Sequence, residues 1–123
     1  MCYMIYIVEV RSMSLNADLL RGYTDTIILQ QLTNGDSYGY QINKQISELS
    51  GGGLEMKEAT LYTAFRRLEN SGCIRSYWGD ENTGARRRYY ALTETGVEKL
   101  VEEQENWKET RAILDILLGG NAK

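Results

Sequence analysis

The sequence predicts an α+β domain that runs helix, helix, helix, strand, strand and one long final helix. Three observations carry that reading. Lys57 to Leu92, KEATLYTAFRRLENSGCIRSYWGDENTGARRRYYAL, reads as a helix stopped at Gly72, a strand, a polar tip and a second strand. Two shorter amphipathic stretches precede it. A helical pattern from Glu94 to Leu118 follows it and ends on Gly119-Gly120. A helix leading into a basic hairpin is the working end of a winged helix-turn-helix. The expected fold class is therefore a winged helix-turn-helix with a long C-terminal dimerisation helix.

The chain opens with MCYMIYIVEVRSM. The apolar run from Tyr3 to Val8 is far short of the ~20 residues of a membrane span. No positive n-region or small-residue cleavage site marks it as a signal peptide. Residues 1–13 are read as an N-terminal extension without an assigned role, and Met13 could itself serve as a start. Ser14 or Asn16 can cap a first helix running to about Thr33, with an apolar stripe at Leu19, Leu20, Tyr23, Ile27, Ile28 and Leu32. Asn34-Gly35-Asp36 signals a stop. Ser37 then reads as the N-cap of a second helix to about Ser50. Its apolar positions are Tyr38 or Tyr40, Ile42, Ile46 and Leu49. Gly51, Gly52 and Gly53 end it and read as a flexible connector, since the Gly-Lys-Ser/Thr ending of a phosphate loop is missing.

Lys57 or Glu58 opens the third helix, which reaches Asn70 or Ser71. Leu61, Ala64, Phe65 and Leu68 form its inner face, with Leu54 beneath, and Thr60, Tyr62, Thr63, Arg66 and Arg67 form the outer one. Ile74 to Gly79 and Arg87 to Leu92 are the paired strands, and Asp80 to Ala85 is the tip. Cys73 is expected to be a small core residue. Trp78 is expected to pack. Thr93 caps the last helix, and Glu94 in its first turn suits the helix dipole. Its stripe is Val97, Leu100 or Val101, Trp107, Leu114, Leu117 and Leu118, interrupted by Gln104, Lys108 and Arg111. A long helix beyond a compact core usually packs on a second copy. The expected divisions are residues 14–93, the winged domain, 94–119, the dimerisation helix, and a tail at 120–123.

Composition excludes several classes. The formal net charge is −3, which speaks against a uniformly basic nucleic-acid binder. The charge is uneven, however: Lys57 to Arg88 holds seven basic and four acidic residues, and Glu94 to Lys123 holds seven acidic and four basic. A basic patch beside an acidic helix fits local DNA contact. There is no histidine. With no metal-ligand spacing and no paired-carboxylate constellation, neither catalysis nor a metal or other cofactor is expected. The two cysteines, Cys2 and Cys73, lie far apart, which suits a reducing cytoplasm better than a disulfide.

In this topology the second and third helices form the helix-turn-helix, and the third is the recognition helix. Thr60, Tyr62 and Thr63 offer hydroxyls to phosphates or base edges. Arg66 and Arg67 can reach phosphates or bond a guanine bidentately. Arg86, Arg87 and Arg88 follow the tip, and strand alternation puts Arg87 and Arg88 on opposite faces. Ser37, Tyr38 and Lys57 complete the expected DNA-contacting set. The expected partner is double-stranded promoter DNA. An interaction module that uses the same hairpin on an acidic protein is the alternative.

Several segments resemble the signatures of PadR-family transcriptional regulators. They are Leu20-Arg21-Gly22, Tyr38-Gly39-Tyr40, Ala59-Thr60-Leu61-Tyr62, Arg67-Leu68-Glu69-Asn70-Ser71-Gly72, and the run from Arg87 to Gly96, RRYYALTETG. The resemblance spans about Leu15 to Leu118. It implies a winged-helix homodimer that represses promoters, joined by the C-terminal helix. Ser76 to Glu81 and Glu105-Asn106-Trp107 are similar to the short, multidrug-sensing members. There, the tryptophan matching Trp107 lies on the dimer helix, and its two symmetry copies sandwich flat aromatic compounds. The resemblance thus implies a planar aromatic ligand at Trp107, with Gln104 and Arg111 beside it. The chain differs from those members at both neighbours, having Gln104 in place of an apolar residue and Arg111 in place of an acid. A cation there disfavours cationic ligands unless Glu103 or Glu105 compensates.

Overall fold

The structure, a computed structural model, describes residues 20–79 and 86–119. The expected extension at 1–13, the capping residues Ser14 and Asn16, the wing tip at 80–85 and the tail at 120–123 lie outside the described residues. In order, the elements are α1 (Thr24–Leu32), β1 (Ser37–Tyr38), α2 (Gly39–Leu49), α3 (Glu58–Asn70), β2 (Ile74–Trp78), β3 (Arg88–Leu92) and α4 (Glu94–Leu117). This is the expected winged helix-turn-helix with one strand more than the sequence suggested.

The extra strand corrects the reading of Ser37. β1 pairs antiparallel with β3, Ser37 opposite Tyr90 and Tyr38 opposite Tyr89, giving a sheet of order β1-β3-β2. Ser37 is therefore not a helix cap. It is buried, and its hydroxyl donates to Gln41 Oε1 at 2.6 Å. Tyr38 holds the N-cap position of α2 in extended backbone. A second correction concerns the first helix. Among the described residues it is interrupted at Gly22–Tyr23, and α1 begins only at Thr24.

α3 matches its sequence pattern closely. Leu61, Ala64, Phe65 and Leu68 are all buried, and Leu54 and Met56 close the core beneath them. The Phe65 ring stacks on Tyr90 of β3 with centroids 4.0 Å apart. Ile28, Leu29 and Leu32 of α1, Ile42 and Ile46 of α2, and Leu100 of α4 complete the same cluster. On α2, Tyr40 and Leu49 point outward instead of joining the expected stripe. The helix stop at Gly72 has a physical cause. Its φ of +80° lets Cys73 N–H reach Leu68 O at 2.9 Å and its own N–H reach Glu69 O at 3.0 Å. These two bonds satisfy carbonyls the helix end leaves open. Cys73 itself is buried and free, as a small core residue.

The glycine connector is bracketed by side-chain hydrogen bonds. The Asn43 side chain accepts from Met56 N–H at 3.0 Å and donates to Met56 O at 2.8 Å, binding α2 to the approach of α3. Ser50 Oγ accepts from Leu54 N–H at 3.0 Å.

Thr93 caps α4 as expected. Its Oγ1 accepts from Gly96 N–H at 3.0 Å and donates to Gly72 O at 2.6 Å, so one hydroxyl joins the end of α3 to the start of α4. Thr93→Ala is expected to cost about 1–2 kcal/mol, the upper range for a lost cap. A thermal melt lowered by about 5–10 °C is the corresponding readout, and an unchanged melt would remove this role.

Candidate nucleic-acid interface

The outer face of α3 carries Thr60, Tyr62, Thr63, Arg66 and Arg67, all exposed. Helical spacing puts them there because the four inward residues occupy every core-facing position. Lys57 stands exposed at the N-cap of α3. Tyr62 leans on Phe65 edge to face, with centroids 5.4 Å apart. Its hydroxyl lies over Gly39, where an added Cβ would come within 2.4 Å of it. Gly39 thus lets α2 approach α3. The cleft between α2 and α3 has a volume of about 800 Å³. It is lined by Lys44 and Lys57 but also by Glu48, Glu55 and Glu58. Mixed charge makes that cleft a poor phosphate seat; the other basic side chains of this region stand on the outer face of α3 and on the wing.

The two arginines of α3 do different things. Arg66 has no ion pair among the described residues. Arg67 is held by Asp25 of α1: Nε donates to Oδ2 at 3.0 Å and Nη2 to Oδ1. That hydrogen bonding and the carboxylate charge raise the guanidinium pKa above its ordinary value against the effect of burial. A bidentate pair of this kind fixes both side chains in one geometry. The expectation that Arg67 reaches a phosphate meets this competitor.

On the wing, alternation sorts the arginines as the sequence implied. Arg87 lies over the Tyr38 ring at 4.8 Å, on the face shared with Tyr89 and Tyr77. Tyr77 donates its phenol to Asp36, which raises its pKa. Arg88 is on the core-side face. Its Nη2 donates to Ser76 Oγ at 2.7 Å, Ser76 donates to Glu69 Oε2 at 2.6 Å, and Arg88 lies 3.9 Å from Glu69. Burial raises the pKa of neighbouring Tyr90. Arg86 lies over Trp78 at 5.1 Å and Arg88 over the same ring at 5.6 Å. Trp78, expected to pack, is 52% exposed and serves as a surface on which two guanidinium groups rest. Of the expected DNA set, Ser37 is turned into the core, and Arg67 and Arg88 are tied to acids of the same chain. Lys57, Thr60, Tyr62, Thr63, Arg66, Tyr38, Arg86 and Arg87 remain outward or on the wing.

The second candidate region is α4. Leu100 is 4% exposed and belongs to this chain's own core, so it is not available to a partner. Val97, Val101, Trp107, Leu114, Leu117 and Leu118 are all exposed, as are Ile113 and Ile116, which the stripe had omitted. Trp107 meets Tyr23 edge to face at 5.3 Å. Gln104 Nε2 donates to Gln30 Oε1 at 2.7 Å. Arg111 is exposed one turn further on. The two glutamates that could offset it are engaged: Glu103 is 3.6 Å from Lys99, and Glu105 is 3.3 Å from Lys108. Sequence reasoning missed Tyr23 as the neighbour of Trp107, and it missed Asp25 and Asn43. Asp25 and Arg67 are 42 positions apart, and no local pattern links them.

Among the described residues no group of three or more acidic, cysteine or histidine side chains could hold a metal ion. No described helix is long and apolar enough to cross a membrane.

Comparison with known proteins adds an independent line. Residues 28–102 match the transcriptional regulator PadR-like family. The chain is 39% identical over 104 residues to an uncharacterized protein of Lysinibacillus sphaericus, covering 85% of this chain and 95% of that one. It is similar to the structure of a transcriptional regulator from Clostridium thermocellum, at 44% identity and a TM-score of 0.77, over 82% of this chain and 95% of that one. A PadR family transcription regulator from Clostridium difficile aligns at 35% identity and a TM-score of 0.70, over 78% and 98%.

Proposed function

The chain belongs to the PadR-like family of transcriptional regulators, and from that membership we propose a homodimeric repressor whose DNA grip responds to a flat aromatic ligand. DNA-binding regulation of transcription, not catalysis, is the business of the family. One observation carries the dimer. α4 has only two buried residues, Gly96 and Leu100, and both lie in its first two turns. Beyond them, Ile113, Leu114, Ile116, Leu117 and Leu118 stand in water. Covering each such side chain is worth about 1.5–3 kcal/mol, so a second copy of the helix has a large driving force to dock. The dimer then offers two recognition helices to half-sites about 34–36 Å apart.

For the ligand, Trp107 supplies an accessible ring already flanked by Tyr23. Polar neighbours such as Gln104 suit a pocket wall better than a dry interface. With Glu103 and Glu105 paired to lysines, the Arg111 guanidinium one turn from Trp107 favours neutral or anionic planar compounds over cationic ones. A ligand relieves repression only by binding the DNA-competent and incompetent dimers unequally. The interaction-module alternative has no observation in its favour.

The reading is tested by footprinting the region upstream of the protein's own gene, together with sedimentation and dye titration. Protection of two half-sites and sedimentation at twice the chain mass are expected; a monomer that protects nothing overturns the proposal. Fluorescein, an anionic planar dye, is expected to quench protein fluorescence more strongly than cationic acridine orange. Trp107→Ala should abolish that quenching while Trp78 continues to emit, and quenching of undiminished affinity would remove Trp107 as the platform.

A further inference from the structure

Among the described residues, Arg67 is the outward residue of the recognition helix that is ion-paired to another helix. Its partner, Asp25, is in the first turn of α1, and both carboxylate oxygens are engaged. Two residues earlier stands Tyr23, whose ring meets Trp107 of α4. The backbone between the two contacts follows the break at Gly22–Tyr23, so α1 starts where both are made. Three residues, Tyr23 to Asp25, thus carry one contact to the dimerisation helix and one to the recognition helix.

We propose that Arg67 is a positioning residue and not a DNA contact. With Asp25 it forms a clamp that fixes the angle of α3 against α1, and so fixes where Thr60, Thr63 and Arg66 meet the DNA. The clamp also gives the Trp107 face a direct mechanical link to the recognition helix through Tyr23. This rests on the DNA-binding reading above and adds the element that transmits a change to it. An exposed ion pair adds little to global stability, so a rigid fork between two helices acts on their orientation more than on holding the fold together.

The sign of one substitution separates the alternatives. Removing a carboxylate beside a DNA-binding surface ordinarily strengthens binding, because a repulsive charge is lost. If Arg67 were held back from a phosphate, Asp25→Asn would release it, tighten binding and steepen the salt dependence by about 0.9 per copy. If the pair is a clamp, Asp25→Asn weakens binding by about three- to tenfold, since a dimer loses two clamps, and the salt slope is unchanged. Arg67→Lys, which keeps the charge and loses the fork, weakens it similarly. The exchanged pair, Asp25→Arg with Arg67→Asp, restores most of the affinity. The experiment is fluorescence anisotropy on the footprinted operator across a salt series, with thermal melts showing each variant folded. Tighter binding by Asp25→Asn, or no rescue by the exchanged pair, overturns the clamp. Failure of the unaltered protein to bind the operator at low salt overturns instead the DNA reading on which it rests.

Discussion

Replacing Lys57 and Arg66 together with alanine is expected to weaken operator binding at least about a hundredfold at moderate salt, and to lower the salt slope by about 3.6. The slope follows from counting: two phosphate contacts per copy, two copies per dimer, and about 0.9 per phosphate released of its counterion. These two residues are chosen because neither has an ion pair among the described residues, whereas Arg67 and Arg88 are both bound to acids of the chain. The overall charge of −3 makes each available cation count for more. Both side chains are exposed, so the variant keeps its stability within about 0.5 kcal/mol. A lost affinity with an unchanged slope would mean that the residues touch bases and not phosphates. Unchanged affinity and slope would mean that this face of α3 does not meet DNA at all.

The second large effect is on the fold. Gly96→Ala is expected to destabilise the domain by about 3 kcal/mol or more and to lower its melting temperature by at least about 12 °C. Helix propensity argues the other way, since alanine is better than glycine in a helix by about 1 kcal/mol. Space decides the outcome. A Cβ at Gly96 would stand 2.1 Å from Cys73 O, a backbone atom, and 2.7 Å from Leu92 Cδ1. The leucine could turn aside; the carbonyl cannot, because it already accepts Thr93 N–H at 3.1 Å. α4 would have to lift from the sheet and take Leu100 out of the core. A higher melting temperature for Gly96→Ala would show that the helix does not approach this closely.

Much of this was legible in the residues because it is local. The inner face of α3 follows from one period, its end from Gly72, and the hairpin from alternation on either side of a polar tip. Thr93 announced itself as a cap by standing before a long periodic run. What was hidden is either too short or too far apart in sequence. A two-residue strand has no periodicity, and Ser37 before an amphipathic run has every feature of an N-cap. Only the partner strand, more than fifty positions away, makes it a strand. Leu100 and Val101 are equally apolar, and which one turns inward depends on where the sheet lies. Asp25 and Asn43 look like solvated polar residues until the elements they grip are in place. Trp78 was misjudged because aromatic residues in strands usually pack, and here the hairpin extends past the core that would cover it.

β1 has a bearing on how such proteins diversify. Its pairing places Ser37 opposite Tyr90, so the stretch 37–90 begins and ends on neighbouring strands, about 4.8 Å apart. A segment whose two ends lie side by side can change in length without altering the distance its socket must span, although its core residues Ile42, Leu61, Phe65 and Leu68 pack in one cluster with Ile28, Leu29 and Leu100 outside it. The recognition helix and the wing travel inside that segment, while α1 and α4 stay behind as the chassis. A piece exchanged in this way would have to bring its own share of that core, together with a cation for Asp25 to hold.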